Sequence, residues 1–181
     1  MTRDSGPPPF GKVVLTEHDP RWAERAAHEA ARLAAAMGAA LVRIEHVGST
    51  SVMDLPAKPV VDLLPIVTSL EAVDAVRAAV EALGYGWHGE LGIARRRFCT
   101  LVDASGARLV NVHAFAEGDP EIARHLAFRD YLRAHPEEAR DYAEAKRRAL
   151  AAEPDDVNAY NRAKEPWIKA CELRALAWAR R

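Results

Sequence analysis

Two features of this sequence have the residue types and spacing for chemistry on a charged ligand. The first is Gly48-Ser49-Thr50, which closes a short β-branched and apolar run from Leu41 to Val47. A glycine there lets the backbone turn sharply and point consecutive N–H groups outward, a concavity suited to phosphate oxygens. The second is Asp62, set inside Val60-Val61-Asp62-Leu63-Leu64. A carboxylate in so apolar a run is costly to desolvate unless a cation, a donor or water meets it. Each feature also has a plain structural reading, since Gly-Ser is common in turns and a strand aspartate can bond to nearby backbone.

Around this pair the sequence offers cations and histidines. Lys58 and Arg95, Arg96 and Arg97 are close enough to the turn or a neighbouring hairpin to pair with phosphate or carboxylate. On a strand, Arg95 and Arg97 face one way and Arg96 the other, so only part of the cluster can serve one pocket; Arg97 is the candidate. His113 alternates with Asn111 about Val112 and reads equally as a hydrogen-bonded structural histidine or a catalytic one. His46, just before Gly48, carries the same two readings, and no spacing among His46, Asp62 and His113 marks a metal site. His125 and Arg129, four apart on a helix, share a face that could reach a ligand above the sheet or form a surface pair. Asp130 with Lys164 could instead fasten helix to sheet. Trp167, Leu173, Leu176 and Trp178 read as a packing face rather than a base-stacking platform.

These residues need elements to hold them. Residues 1–11 are rich in Pro and Gly and read as a flexible lead-in, leaving 12–181 as a single domain. Asp19-Pro20 opens a helix whose apolar face is Trp22, Ala26, Ala30, Leu33 and Met37, closed by Gly38. Leu41–Val47 and Lys58–Val67 read as strands, the second deeply buried. Thr68-Ser69-Leu70-Glu71 matches a capping box for a helix along Leu70, Val73, Val76, Val80 and Leu83, ended by Gly84. Residues 96–102 and 108–115 flank Asp103-Ala104-Ser105-Gly106 as a hairpin. From Asp119-Pro120 the pattern is helical, with breaks at His135-Pro136 and near Glu153-Pro154. Strands first and helices after imply an α+β domain, a mixed sheet of about four to five strands with packed helices and a C-terminal helical portion.

Composition narrows the classes. At 181 residues, 49% hydrophobic, 28% charged and net charge -1, the chain supports one core and no general nucleic-acid surface; any phosphate site must be local. Cys99 and Cys171 have no CxxC spacing, so neither zinc nor a disulfide framework is expected, and a reducing cytoplasm fits. The start MTRDSGPPPFGK lacks an apolar stretch, and no window approaches the roughly 18 apolar residues of a membrane span.

A Gly-Ser turn followed about a dozen residues later by a buried strand bearing Asp is the frame of the nucleotidyltransferase superfamily, where strand carboxylates hold Mg²⁺ on a nucleoside triphosphate. The resemblance is narrower than that. RIEHVGSTSV at 43–52, continued by AKPVVD at 57–62, Arg96-Arg97-Phe98, Asn111-Val112-His113, HLAFRDYLR at 125–133 and Ala163-Lys164 together resemble the GrpB family. That family is assigned to the nucleotidyltransferase fold and occurs alone or fused to dephospho-CoA kinase. The resemblance implies phosphate-turn positions at Gly48, Ser49 and Thr50, and a catalytic, metal-binding carboxylate at Asp62, with Mg²⁺ and a nucleoside triphosphate as the cofactor pair. It also exposes a departure. Leu64 stands where a second acid normally shares the face of Asp62, and Asn111 and His113 stand where a third would come. The usual two-metal cage cannot be assembled from these positions. A nucleotide or other anionic small molecule in the cleft is the first expectation, and a non-catalytic binding or chaperone-like module the second. No membrane partner is expected, nucleic acid is disfavoured, and the sequence identifies no protein partner.

Overall fold

Trp22, Ala26, Leu33 and Met37 recur at helical spacing, and all are buried along α1 (Arg21–Met37), as one apolar stripe facing a sheet requires. The computed structural model describes residues 13–181; the lead-in read at 1–11 lies outside the described residues. Strands β1 (Leu41–Val47), β2 (Val61–Val67), β3 (Gly86–Trp87), β4 (Arg97–Val102) and β5 (Arg108–Ala116) form one sheet in the order β1-β2-β5-β4-β3. Only β2 and β5 run parallel; the other neighbours are antiparallel. The α+β architecture therefore stands, with a mixed sheet of five strands.

Alternation along β2 divides its side chains between two layers. Val61, Leu63 and Val67 enter a core with α1 and the helices α2 (Leu70–Ala75) and α3 (Arg77–Ala82), while Leu64 and Ile66 meet Val47, Phe115 and Ile122 on the other face. Leu33, Leu63, Leu64 and Phe115 are fully buried, each worth about 1.5–3 kcal/mol on removal from water. Beyond the sheet, α4 (Pro120–Ala134), α5 (Pro136–Ala152) and α6 (Val157–Trp178) pack together through Tyr131, Leu132, Tyr142 and Cys171, and onto Val52 and Leu55.

Three details differ from the sequence pattern. The second strand begins at Val61, because Val60 N–H bonds Lys58 carbonyl at 2.7 Å in a tight turn through Pro59. The helix after it is capped by Ser69, whose side chain accepts from Ala72 N–H, and is divided at Val76, where φ -102 and ψ 10 leave the helical region. Val73 and Val80 stay buried on either side of the break. The two-residue β3 was not legible, being too short to show a period.

Candidate functional site

Register places the chemistry. Asp62 lies beside Asn111 across the parallel β2/β5 pair, and His113 lies opposite Phe98 across β5/β4. Because side chains alternate, Asp62, Asn111, His113 and Phe98 share the face turned toward the C-terminal helices. Over this floor stand Lys146 from α5 and Tyr160 and Lys164 from α6, the last two one helical turn apart. The space between is a cavity of about 370 Å³, and the Ser49-Thr50 turn, Lys58, Arg96 and Arg108 complete its charged wall.

Asp62 is fixed from three sides. Its Oδ1 accepts from Asn111 Nδ2 at 2.9 Å and faces His113 Nε2 at 3.5 Å. Its Oδ2 lies against Gly48, where a Cβ would come within 2.4 Å, and Gly48 has φ +70. Glycine is therefore required twice, by conformation and by the carboxylate's approach. Burial pushes the Asp62 carboxyl up, but bonds from His113 and Asn111 and the charge of Lys58 outweigh it and hold the group below its usual range. His113 Nδ1 faces Arg96 at 3.4 Å, and a guanidinium can only donate. That leaves Nε2 as the ring nitrogen that donates toward Asp62. The His113 Nδ1 is turned to Arg96 rather than into the cavity.

Lys146 has 2% of its surface exposed, yet it donates to Ser49 Oγ at 2.9 Å and to the Pro56 carbonyl at 2.6 Å, and lies 4.3 Å from the Tyr142 ring centre. Burial, then the charges of Lys164 and Lys58, drive its ammonium well below the ordinary lysine range. Lys164, over the Tyr160 ring at 4.9 Å, is lowered to about 8 by burial and Lys58. Lys58 is lowered by burial as well, and Arg108, which donates to Asn111 Oδ1 at 3.0 Å, likewise. Arg96 is held by the Glu90 and Leu91 carbonyls on a loop where Gly89, Leu91, Gly92 and Arg95 all have positive φ. Burial lowers it to about 10.

Of the residues singled out from sequence, Ser49, Thr50, Lys58, Asp62 and His113 line the cavity, with Gly48 beneath Asp62. Three others lie elsewhere. Arg97, alternating with Arg96, points to the opposite face and pairs with Asp74 at 2.6 Å. Arg129 fastens α4 to β1 through Glu45 at 2.8 Å and the His46 carbonyl at 3.1 Å, and also pairs with Asp130. His125 is behind His113, with ring centres 5.7 Å apart and Nδ1 on the Glu121 carbonyl at 2.7 Å; burial, then Arg124, lowers it to about 4. His46 bonds Thr50 Oγ1 at 2.9 Å and is lowered to about 4 by burial. Lys164, read as a fastener, is a cavity residue instead. Lys146, Tyr160, Phe98 and Arg108 were missed. For Lys146 a signal existed: it falls on the face of α5 set by Tyr142, Ala145 and Ala149.

The fit of Mg²⁺ can be judged from these contacts. Asp62 already accepts two donors on Oδ1, Asn111 Oδ1 is taken by Arg108, and Leu64 is buried in the apolar layer. Among the described residues no group of three or more His, Cys, Asp or Glu is arranged to hold a metal ion. A hard cation would meet one carboxylate among five basic side chains, so the donor set does not fit it.

In class, the molecule is an α+β domain built around a basic cleft with a single carboxylate. The chain belongs to the GrpB family: the profile of the GrpB protein family matches residues 12–174. The crystal structure of GrpB from Enterococcus faecalis superimposes with TM-score 0.87 at 37% identity, over 93% of this chain and 100% of that one. The UPF0157 protein YqkA of Bacillus subtilis is 41% identical over 170 residues, which cover 94% of this chain and 49% of YqkA. A dephospho-CoA kinase of Mycolicibacterium paratuberculosis is 32% identical over 190 residues, covering 92% of this chain and 47% of the kinase. The chain thus spans about half the length of these two relatives.

Proposed function

We propose that this GrpB-family chain binds a nucleotide or another phosphorylated small molecule in the cleft above Asp62. The observation that carries the reading is a cavity of about 370 Å³ lined by Lys58, Arg96, Arg108, Lys146 and Lys164 together with one carboxylate. Basic groups held together out of bulk water repel one another, and an anion relieves that repulsion with charge-assisted hydrogen bonds. Phe98 and Tyr160 supply apolar walls for the uncharged part of the ligand. The nucleotidyltransferase-like reading of the fold, and of transferase chemistry, stays a proposal supported by the Gly48-Ser49 turn beside Asp62. A cytoplasmic setting is supported by two buried free cysteines, and among the described residues no helix is long and apolar enough to cross a membrane.

Thermal unfolding against nucleoside triphosphates, coenzyme A precursors and amino acids tests the reading. A ligand at 100 times its dissociation constant stabilises by about 2.7 kcal/mol, a visible shift. The same shift in Lys146→Met as in the parent, or none from any phosphorylated compound, would count against the cleft. A second reading, a binding module without turnover, is favoured by Leu64 and Asn111 at the acidic positions. It predicts ligand-induced stabilisation with no product formed from any triphosphate.

A further inference from the structure

The proposed function leaves open what neutralises a phosphorylated ligand in this cleft. Elsewhere a divalent metal does so, held by two or three carboxylates. Here the balance of the lining is inverted: five basic side chains and one carboxylate line the cavity. The basic groups come from separate elements. Lys58 is on the loop before β2, Arg96 precedes β4, Arg108 begins β5, Lys146 is on α5 and Lys164 on α6. They enclose the cavity from the sheet side and the helix side together. The carboxylate that would start a metal site is turned away from that role by Asn111, His113 and Gly48.

Resting on the reading of the cleft as an anion site, we infer that it takes a compact polyanion of the triphosphate class free of metal, with Lys58, Lys146 and Lys164 supplying the charge that Mg²⁺ supplies in a carboxylate cage. Asp62 is then an internal counter-ion. It limits repulsion among the lysines while the cavity is empty and keeps the Gly48 turn in register.

A consequence separates this from ordinary phosphate binding. The charged groups that act on Lys146 and Lys164 are each other, Lys58, Arg147 and Asp62, with Tyr142 and Tyr160 against them and Arg96, Arg108 and His113 lining the same cavity. Burial, then the positive charges around them, lowers Lys164 to about 8 and holds Lys146 well below the ordinary lysine range. A polyanion reverses that field, so its binding near pH 8 draws protons onto these amines. A Mg²⁺ complex of the same anion, with two negative charges cancelled, would draw fewer.

Inorganic tripolyphosphate is the probe. Titration calorimetry of the full chain at about pH 8, in EDTA and then in excess Mg²⁺, with two buffers of different ionisation enthalpy, reads affinity and proton uptake together. The expected result is binding in EDTA with net proton uptake, weakened about tenfold or more by Mg²⁺, with uptake reduced in Lys164→Met. Binding that needs Mg²⁺, or tightens with it, would overturn the inference while leaving an anion site standing. Tight binding in EDTA without proton uptake would also overturn it. Absence of binding in both conditions would bring down the anion reading and this inference together.

Discussion

Charge is managed in opposite ways on the outer helices and in the cleft. On the helices, arginines are matched by one or two acids each. Arg129 pairs with Glu45 and Asp130, Arg174 with Glu138, and Arg124 with Glu121 and Glu172. In the cleft, five basic side chains line one cavity with a single carboxylate, Asp62. A paired network spends its electrostatics on holding elements together, whereas an unbalanced one stores a demand for negative charge from outside. The difference is the ground for proposing the cleft as the binding site, and the net charge of -1 for the whole chain hides it.

The comparison can be broken at either end. Lys146→Met should have the largest effect, lowering phosphorylated-anion affinity about 100-fold, in line with about 3 kcal/mol for a buried charge-assisted contact. Calorimetry on the folded variant reads it. Gly48→Ala should cost about 2–3 kcal/mol in denaturant unfolding, because φ +70 is strained for alanine and the new Cβ displaces Asp62. On the paired side, Arg129→Met should lower stability by about 2 kcal/mol by removing the bonds that tie α4 to Glu45 and the His46 carbonyl, yet leave anion affinity unchanged. A loss of affinity there would erase the distinction between the two regions.

Lys164→Met should weaken the anion about tenfold and raise the stability of the ligand-free protein by about 1 kcal/mol, since it removes a like charge from the cleft. The smallest effect is in pH. Lys164 and Lys146 have folded values below the unfolded lysine value, so the unfolded chain binds more protons above about pH 8. Ligand-free stability should therefore rise as pH climbs from about 8 toward the unfolded lysine value near 10.5, while anion affinity falls. Parallel changes of both would contradict the lowered lysines.

Much of this arrangement is legible in the sequence, for identifiable reasons. The Gly48-Ser49 turn and Asp62 are local signals: a glycine at a strand end and an acid in an apolar run need no tertiary information. Periodicity located α1, β1 and the hairpin, and Pro136 and Pro154 marked the breaks among the last helices. Alternation anticipated that Arg96 and Arg97 diverge, but not which faces the cleft, because that depends on how β4 pairs with β5. Arg129 shared its helix face with His125 and could not be told from a ligand contact until Glu45 was found across the interface. Lys146 and Tyr160 reach the cleft only through the packing of α5 and α6, nearly a hundred residues beyond Ser49, and no local pattern encodes that meeting.

The central claim is that Asp62 balances charge in the cleft instead of holding a metal, and Asp62→Asn tests it most directly. The change is nearly isosteric and keeps an oxygen to accept from Asn111. Tripolyphosphate affinity of this variant, measured in EDTA beside the parent, should rise several-fold as the one opposing charge is removed, with no gain from Mg²⁺ in either protein. Loss of binding in a folded Asp62→Asn variant, together with Mg²⁺-dependent binding in the parent, would contradict it.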